Sequence, residues 1–194
     1  VDGEVFPSFG MTEPAVASSD PTQLQTKAVL DGDQWVINGR KWFTSGAGNA
    51  AYTTVMVRTE FDAPDHSAFS MIVVPTDTQG YNIIRDVKVM GQADGHYEVA
   101  YDNVRVPKEN LLGPRGQGFK IAQDRLGPGR IFHCMRWLGQ AQRAFDLMCQ
   151  RAVNRKITPN ETLSNMPIVK TWIAESRVEI DAARLLVMEC ARKI

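Results

Sequence analysis

WVINGRKWFTSGAG, residues 35–48, begins in aromatic and β-branched residues and closes on a run of small ones. Such residues favour a pleated, half-buried surface, so the stretch reads as strand. Its Asn38-Gly39 pair tolerates positive φ at two consecutive positions, which predicts a type I′ hairpin turn that puts Trp35 and Trp42 on paired strands. Working outward, LQTKAVL (24–30), YTTVMVR (52–58), FSMIVVP (69–75), YNIIRDV (81–87) and YEVAYDNVRV (97–106) have the same character. Gly, Asp, Asn or Pro bounds each of them, so a β-barrel or sandwich is predicted from Thr22 to about Val106.

After Pro107 the period changes. Ile131, Met135, Leu138, Ala141, Phe145 and Met148 recur at spacings of three and four, which predicts an amphipathic helix over 116–151. A second helix is expected from about Ser164, with Ile168, Trp172, Ile180 and Leu186 among its apolar positions. The connector from Asn154 to Met166 is long enough to turn the chain and predicts antiparallel helices. Pro128, between Gly127 and Gly129, predicts a kink or break near the start of the first helix. The fold class is α+β, with a boundary expected between residues 1–114 and 115–194.

Lys plus Arg and Asp plus Glu both number 22, so no global field favours nucleic acid and an anionic ligand needs local donors. Hydrophobic residues at 43% and charged residues at 23% describe an ordinary globular chain, neither disordered nor membrane-embedded. No apolar run is long enough for a membrane span. Cys134, Cys149 and Cys190 lack metal-ligand spacing, and their apolar helical neighbours predict reduced, buried thiols and an intracellular compartment. A start at Val1 and an end within a helical pattern at Ile194 read as a piece of a longer protein.

Three segments carry the residue types that chemistry needs. FGMTEPAVASSD (9–20) offers backbone N–H groups and hydroxyls to an anionic or carbonyl-rich ligand, and equally suits a polar surface turn. KWFTSGAG (41–48) offers a flat aromatic face and a hydroxyl to a planar heterocycle, or else holds an ordinary core tryptophan. RLGPGRIFHCMR (125–136) brings Arg130 and His133 beside the expected kink, where they serve a ligand or remain a surface charge and a satisfied core histidine.

Taken in order, these segments resemble the acyl-CoA dehydrogenase family. TEPAVASSD (12–20) is similar to the signature TEPxxGSD, with one extra residue and Ala17 in place of glycine. INGRKWFTSG (37–46) resembles INGxKxWITN. DNVRVPKENLLG (102–113), GQGFKIA (116–122) and GQAQRAF (139–145) are similar to the passage into the family's helical domain. RLGPGRIFHCMR and WIAESR (172–177) look most like the branch of family members 10 and 11.

The resemblance implies an FAD- and acyl-CoA-binding β-barrel middle domain followed by the first long helices of a bundle. It implies that Met11 and Thr12 give backbone and hydroxyl donors to the flavin around N1 and O2, with Phe9 beside them. Fixed donors at that edge would stabilise the charge that reduction puts there. Trp42, with Phe43 next to it, is expected to pack beside the isoalloxazine, and Thr44 to bond near N5 and O4. Ser19, and Ser18 beside it, match the serine between flavin and acyl-CoA. Gly127 and Arg130 match a stretch that contacts the substrate. Arg155, Ile157 and Thr158 match a segment that reaches the FAD of a neighbouring subunit, so a homodimer or dimer of dimers is implied.

The implied reaction removes an α-proton from an acyl thioester and passes the β-hydrogen to the flavin, with an electron-transfer flavoprotein as acceptor. No residue of this chain is assigned as its base. Gly129 stands where one branch carries that base, and in the others it lies beyond residue 194. The 194 residues alone are therefore expected to show no acyl-CoA dehydrogenation. The family implies a mitochondrial or peroxisomal location in a eukaryote and a cytoplasmic one in a bacterium. Two alternatives stay open: a truncated homologue that acts as a binding or oligomerisation module, and a flavin oxidase or monooxygenase on the same scaffold.

Overall fold

The computed structural model describes residues 5–194. Its chain divides into two compact units, Val1–Gln123 and Asp124–Ile194. The first is built on eight strands: β1 Pro7–Gly10, β2 Lys27–Asp31, β3 Gln34–Ser45, β4 Tyr52–Arg58, β5 Phe69–Pro75, β6 Tyr81–Asp86, β7 His96–Pro107 and β8 Leu111–Leu112. They form one mixed sheet in the order β6-β7-β3-β2-β4-β5-β8, and β1 lies parallel to β4. Five of these strands fall where the sequence expects them. β1 adds one where a polar loop is read, because Phe9 and Gly10 pair with Thr54 and Val55.

The expected hairpin at Asn38-Gly39 is corrected. β3 runs straight through this pair, so Trp35 and Trp42 lie on one strand. The turn falls instead at Gly32-Asp33, between Asp31 and Gln34, with Gly32 at φ 61 in the first loop position, where a type II′ hairpin requires glycine. Gly39 has another purpose. A Cβ there would lie 2.7 Å from the Cα of Thr26, so the glycine allows the neighbouring backbone to approach, and the register with β7 shifts at this point.

β4 and β5 read as near-continuous apolar runs because both their faces are covered. Val55, Val57, Ile72 and Val74 join Trp35, Ile37, Val99 and Val104 in one core. Met56, Phe69 and Met71 point the other way, into a second core with Leu24, Ala68 and Ala122. Phe9, Met11, Phe119 and Ile121 pack against that second core. Its partners from 119–122 belong to α1, Gly118–Asn154, whose first residue meets the sheet closely: a Cβ on Gly118 would lie 2.7 Å from the carbonyl carbon of Ser70.

In the second unit α1 continues to Asn154, and α2 spans Pro167–Lys193. The chain doubles back, since Gln142 accepts hydrogen bonds from Arg177 at 3.0 Å and Arg184 at 3.2 Å. Arg177 also stacks 5.0 Å from the Phe145 ring centroid. The break expected at Pro128 does not occur, and α1 is helical on both sides of it. Leu138 and Ile180 are buried as expected, whereas Ile168, Trp172 and Leu186 are exposed. The inward stripe of α2 is rotated by about one residue, to Val169, Ile173, Ile180 and Val187. Apolar side chains lie all around this helix, so period alone does not select the packed face. The cysteines are free but not buried, with Cys134 and Cys190 exposed and Cys149 partly so. No described helix is long and apolar enough to cross a membrane.

Candidate functional site

The segment after β1 and the far end of β3 meet through three hydrogen bonds. The Trp42 N–H donates to the Thr12 carbonyl at 2.9 Å, and the Thr12 hydroxyl donates back to the Trp42 carbonyl at 2.7 Å. Lys41 Nζ donates to the Met11 carbonyl at 2.8 Å. Two stretches 30 residues apart in sequence are thus locked edge to edge. The Thr12 hydroxyl proton is directed at Trp42, so what this residue can offer a ligand is its peptide N–H, which has no acceptor among the described residues. Phe9 and Met11 turn their side chains into the second core and fix the segment from below.

A bulge decides what β3 presents here. Lys41 pairs with Val99 and Thr44 with Tyr97, so Trp42 and Phe43 together face the single residue Glu98. The extra residue resets the alternation: Lys41 and Thr44 both point inward at 0% exposure, and Phe43 and Ser45 are exposed. Phe43 sits at φ 50, in the left-handed region, and its ring meets that of Trp42 edge-on at 4.9 Å. The two hydroxyls at this end of the strand thus differ in their surroundings. The Thr44 hydroxyl is buried and has no partner among the described residues, and the outward hydroxyl is that of Ser45, 2.7 Å from His96 Nδ1.

Ser18 and Ser19 separate in the same way. The Ser18 hydroxyl closes its own loop, accepting from the Glu13 N–H at 2.8 Å and donating to the Glu13 carbonyl at 3.1 Å, whereas Ser19 is exposed. A groove of about 650 Å³ opens beside this loop, among Pro14, Ala15, Lys27, Asn38 and Arg40, and its lining does not extend to Trp42. In the second unit, Gly127 is half-buried and Arg130 exposed on unbroken α1. His133 is exposed, 3.2 Å from Arg136, and so is not a core histidine. Arg155, Ile157 and Thr158 are exposed in the connector, which is braced by the Ile157 N–H to Glu161 carbonyl bond at 2.9 Å.

Sequence reasoning missed the support beneath this edge. Lys41 and Glu13 form an ion pair at 2.8 Å with side-chain exposures of 0% and 3%. The Glu13 carboxylate also accepts from the backbone N–H groups of Gln25 at 2.7 Å and Thr26 at 2.9 Å. The available signal was Glu13, a charge among apolar and small residues, and Lys41 at an inward position of a strand. Burial alone would raise the Glu13 pKa, but the Lys41 charge and these hydrogen bonds outweigh it and hold the carboxyl below its ordinary value. Burial pushes the Lys41 ammonium down to about 8 against the pull of Glu13.

The two shifts act at opposite ends of the pH range. Glu13, with its folded pKa depressed, contributes stability present above its unfolded value near 4.5 and lost as pH falls through the folded one. Lys41 binds its proton less tightly when folded, so stability increases as pH rises from about 8 to 10.5. Denaturant unfolding across pH should show both trends, and Lys41→Met should abolish the alkaline gain and, by removing the charge that holds Glu13 down, weaken the acid trend as well. An unchanged alkaline limb in that variant contradicts the assignment.

Residues 8–104 match the family model for the acyl-CoA dehydrogenase middle domain, and residues 116–194 match that for the acyl-CoA dehydrogenase C-terminal domain. The chain belongs to the acyl-CoA dehydrogenase family. It is 51% identical to the probable acyl-CoA dehydrogenase FadE2 of Mycobacterium tuberculosis, covering 98% of this chain and 48% of that protein. It is 46% identical to acyl-CoA dehydrogenase family member 11 of Gallus gallus, covering 100% of this chain and 26% of that protein. A solved structure described as an FAD-dependent dehydrogenase superposes with a TM-score of 0.85 at 26% identity, covering 98% of this chain and 51% of that one. The chain therefore spans about half or less of the length of these relatives.

Proposed function

We propose that this chain is part of an enzyme that carries out FAD-dependent α,β-dehydrogenation of acyl-CoA thioesters, with the flavin seated against the edge made by Met11-Thr12 and Trp42-Ser45. The observation that carries the reading is the pair of reciprocal hydrogen bonds between Thr12 and Trp42, which brings the two family signatures to one place. When bound, FAD would supply the acceptor for the β-hydrogen of the thioester. The residues present suit such a ring: the Thr12 N–H as a fixed donor, Trp42 and Phe43 as an apolar flank, and the Ser45 hydroxyl at the outward edge. The buried Thr44 hydroxyl, which has no partner among the described residues, suits a hydrogen bond to the same ring.

Ser19, exposed on the same loop, suits the boundary between flavin and thioester, and Gly127 and Arg130 on α1 suit substrate contact. Arg155, Ile157 and Thr158, exposed in the connector, suit a contact with the FAD of a second subunit, as a homodimer or dimer of dimers requires. The proton-abstracting carboxylate is assigned to the rest of the enzyme. An electron-transfer flavoprotein is the proposed electron acceptor, and an intracellular compartment the proposed location.

The test is made on the full-length protein, by its visible flavin absorption and the bleaching of that absorption by acyl-CoA under anaerobic conditions. A folded full-length protein that neither carries nor takes up FAD sinks the reading. Within it, Ser45→Ala should weaken FAD binding about fivefold, the loss of one hydrogen bond worth about 1 kcal/mol. Thr44→Val, which removes a buried hydroxyl that has no partner among the described residues, should weaken it by a similar factor. Fluorescence titration of the apoprotein reads both, and an unchanged affinity in both variants contradicts this seating of the ring.

A further inference from the structure

Lys41 does more than neutralise Glu13. Its ammonium touches the carbonyl of Met11 at 2.8 Å, and that carbonyl shares its peptide group with the N–H of Thr12. A cation bonded to the oxygen of an amide draws electron density from its nitrogen and makes the N–H a stronger donor. The effect is large here because Lys41 is completely enclosed and no water screens it. Meanwhile the Thr12 N–H has no acceptor among the described residues, so the polarised donor remains available to a ligand.

We propose that Lys41 is a positioning residue that acts through the Met11-Thr12 peptide on the bound flavin, raising its reduction potential by strengthening the donor at the edge where negative charge collects. This rests on the seating of FAD proposed above. Among the described residues, the titratable groups that face Lys41 are Glu13, from the loop, and Tyr101, from β7, whose hydroxyl borders Gly10 together with the Lys41 stem. Burial raises the Tyr101 pKa well above its ordinary value, so Tyr101 stays neutral while Lys41 titrates. Glu13 tunes the device: its carboxylate favours the charged ammonium that faces Met11.

The experiment is a reduction-potential titration of FAD in the full-length holoenzyme, with reference dyes, from pH 6.5 to 9.5. In the unsubstituted protein the potential should fall more steeply with pH once Lys41 begins to lose its proton. Lys41→Met should lower the ratio of reduced to oxidised flavin about tenfold at a fixed poise at pH 7, ~30 mV for a two-electron couple. It should also remove the change of slope, so that the two profiles converge at the alkaline end. A merely structural role would instead displace the whole profile by a constant amount.

Glu13→Gln gives an independent reading, because loss of the carboxylate should move the change of slope to lower pH. Should Lys41→Met fail to fold, the unsubstituted profile alone decides, and a constant slope throughout overturns the proposal. So does a change of slope that Glu13→Gln leaves in place. A folded full-length protein without FAD is a different failure, since it overturns the functional reading itself.

Discussion

Glu13→Ala is expected to destabilise the protein by about 3–5 kcal/mol, the range for removing one partner of a buried ion pair. The substitution leaves Lys41 enclosed without its counter-charge and withdraws the acceptor from the backbone N–H groups of Gln25 and Thr26. Lys41 Nζ, the buried Thr26 N–H and the part-buried Gln25 N–H lose the carboxylate at once, and water cannot replace it beside Lys41, which is 0% exposed. Part of the charge penalty is relieved because Lys41 sheds its proton. The orphaned N–H groups have no such escape. Lys41→Met should therefore cost less than Glu13→Ala, since the carboxylate it leaves behind keeps two backbone donors. Denaturant unfolding at pH 7 tests the order, and a loss below about 1 kcal/mol for Glu13→Ala refutes the strut.

Phe69→Ala should cost a similar ~3–5 kcal/mol, through lost burial and the cavity left in the second core. Phe69 opens β5 at 0% exposure among Leu24, Met56, Met71 and Ala122, with the Arg58 guanidinium 4.6 Å from its ring centroid. The vacated space lies between the sheet and the first turns of α1, and the Gly118 contact with Ser70 leaves the helix start no room to slide inward. Phe69→Leu, which keeps most of the volume, should cost less than about 1.5 kcal/mol. Equal losses for Ala and Leu would mean that the ring contributes through Arg58 rather than through packing.

The functional part of the site depends on both substitutions in different ways. Glu13 and Lys41 hold the Met11-Thr12 segment onto β3, so their loss should reach the ligand edge directly. Phe69 lies in the core against which Phe9 and Met11 pack, so its loss should loosen the same segment from below. FAD affinity in the full-length protein ought therefore to fall with either change.

Strands at 52–58, 69–75 and 81–86 were legible because each is a short apolar or β-branched run between turn residues, and such runs bury themselves in the same way almost wherever they lie. The two long helices were legible from their period, and the family from several motifs in a fixed order. Residue type and spacing along the chain thus determined the fold class, the order of elements and the segments proposed for the candidate site. What they could not determine was where β3 turns or which way its side chains point. Asn38-Gly39 carries the chemistry of a hairpin turn, yet pairing with β7 on one side and with β2 on the other keeps the strand extended through it. The bulge at Trp42-Phe43 then buries Thr44 and leaves Ser45 exposed. Both outcomes are set by the register of strands distant in sequence, a property of the assembled sheet, and so only the tertiary structure decided them. The Glu13–Lys41 pair belongs to the same class, since two charges 28 residues apart become one strut only when the fold encloses them together.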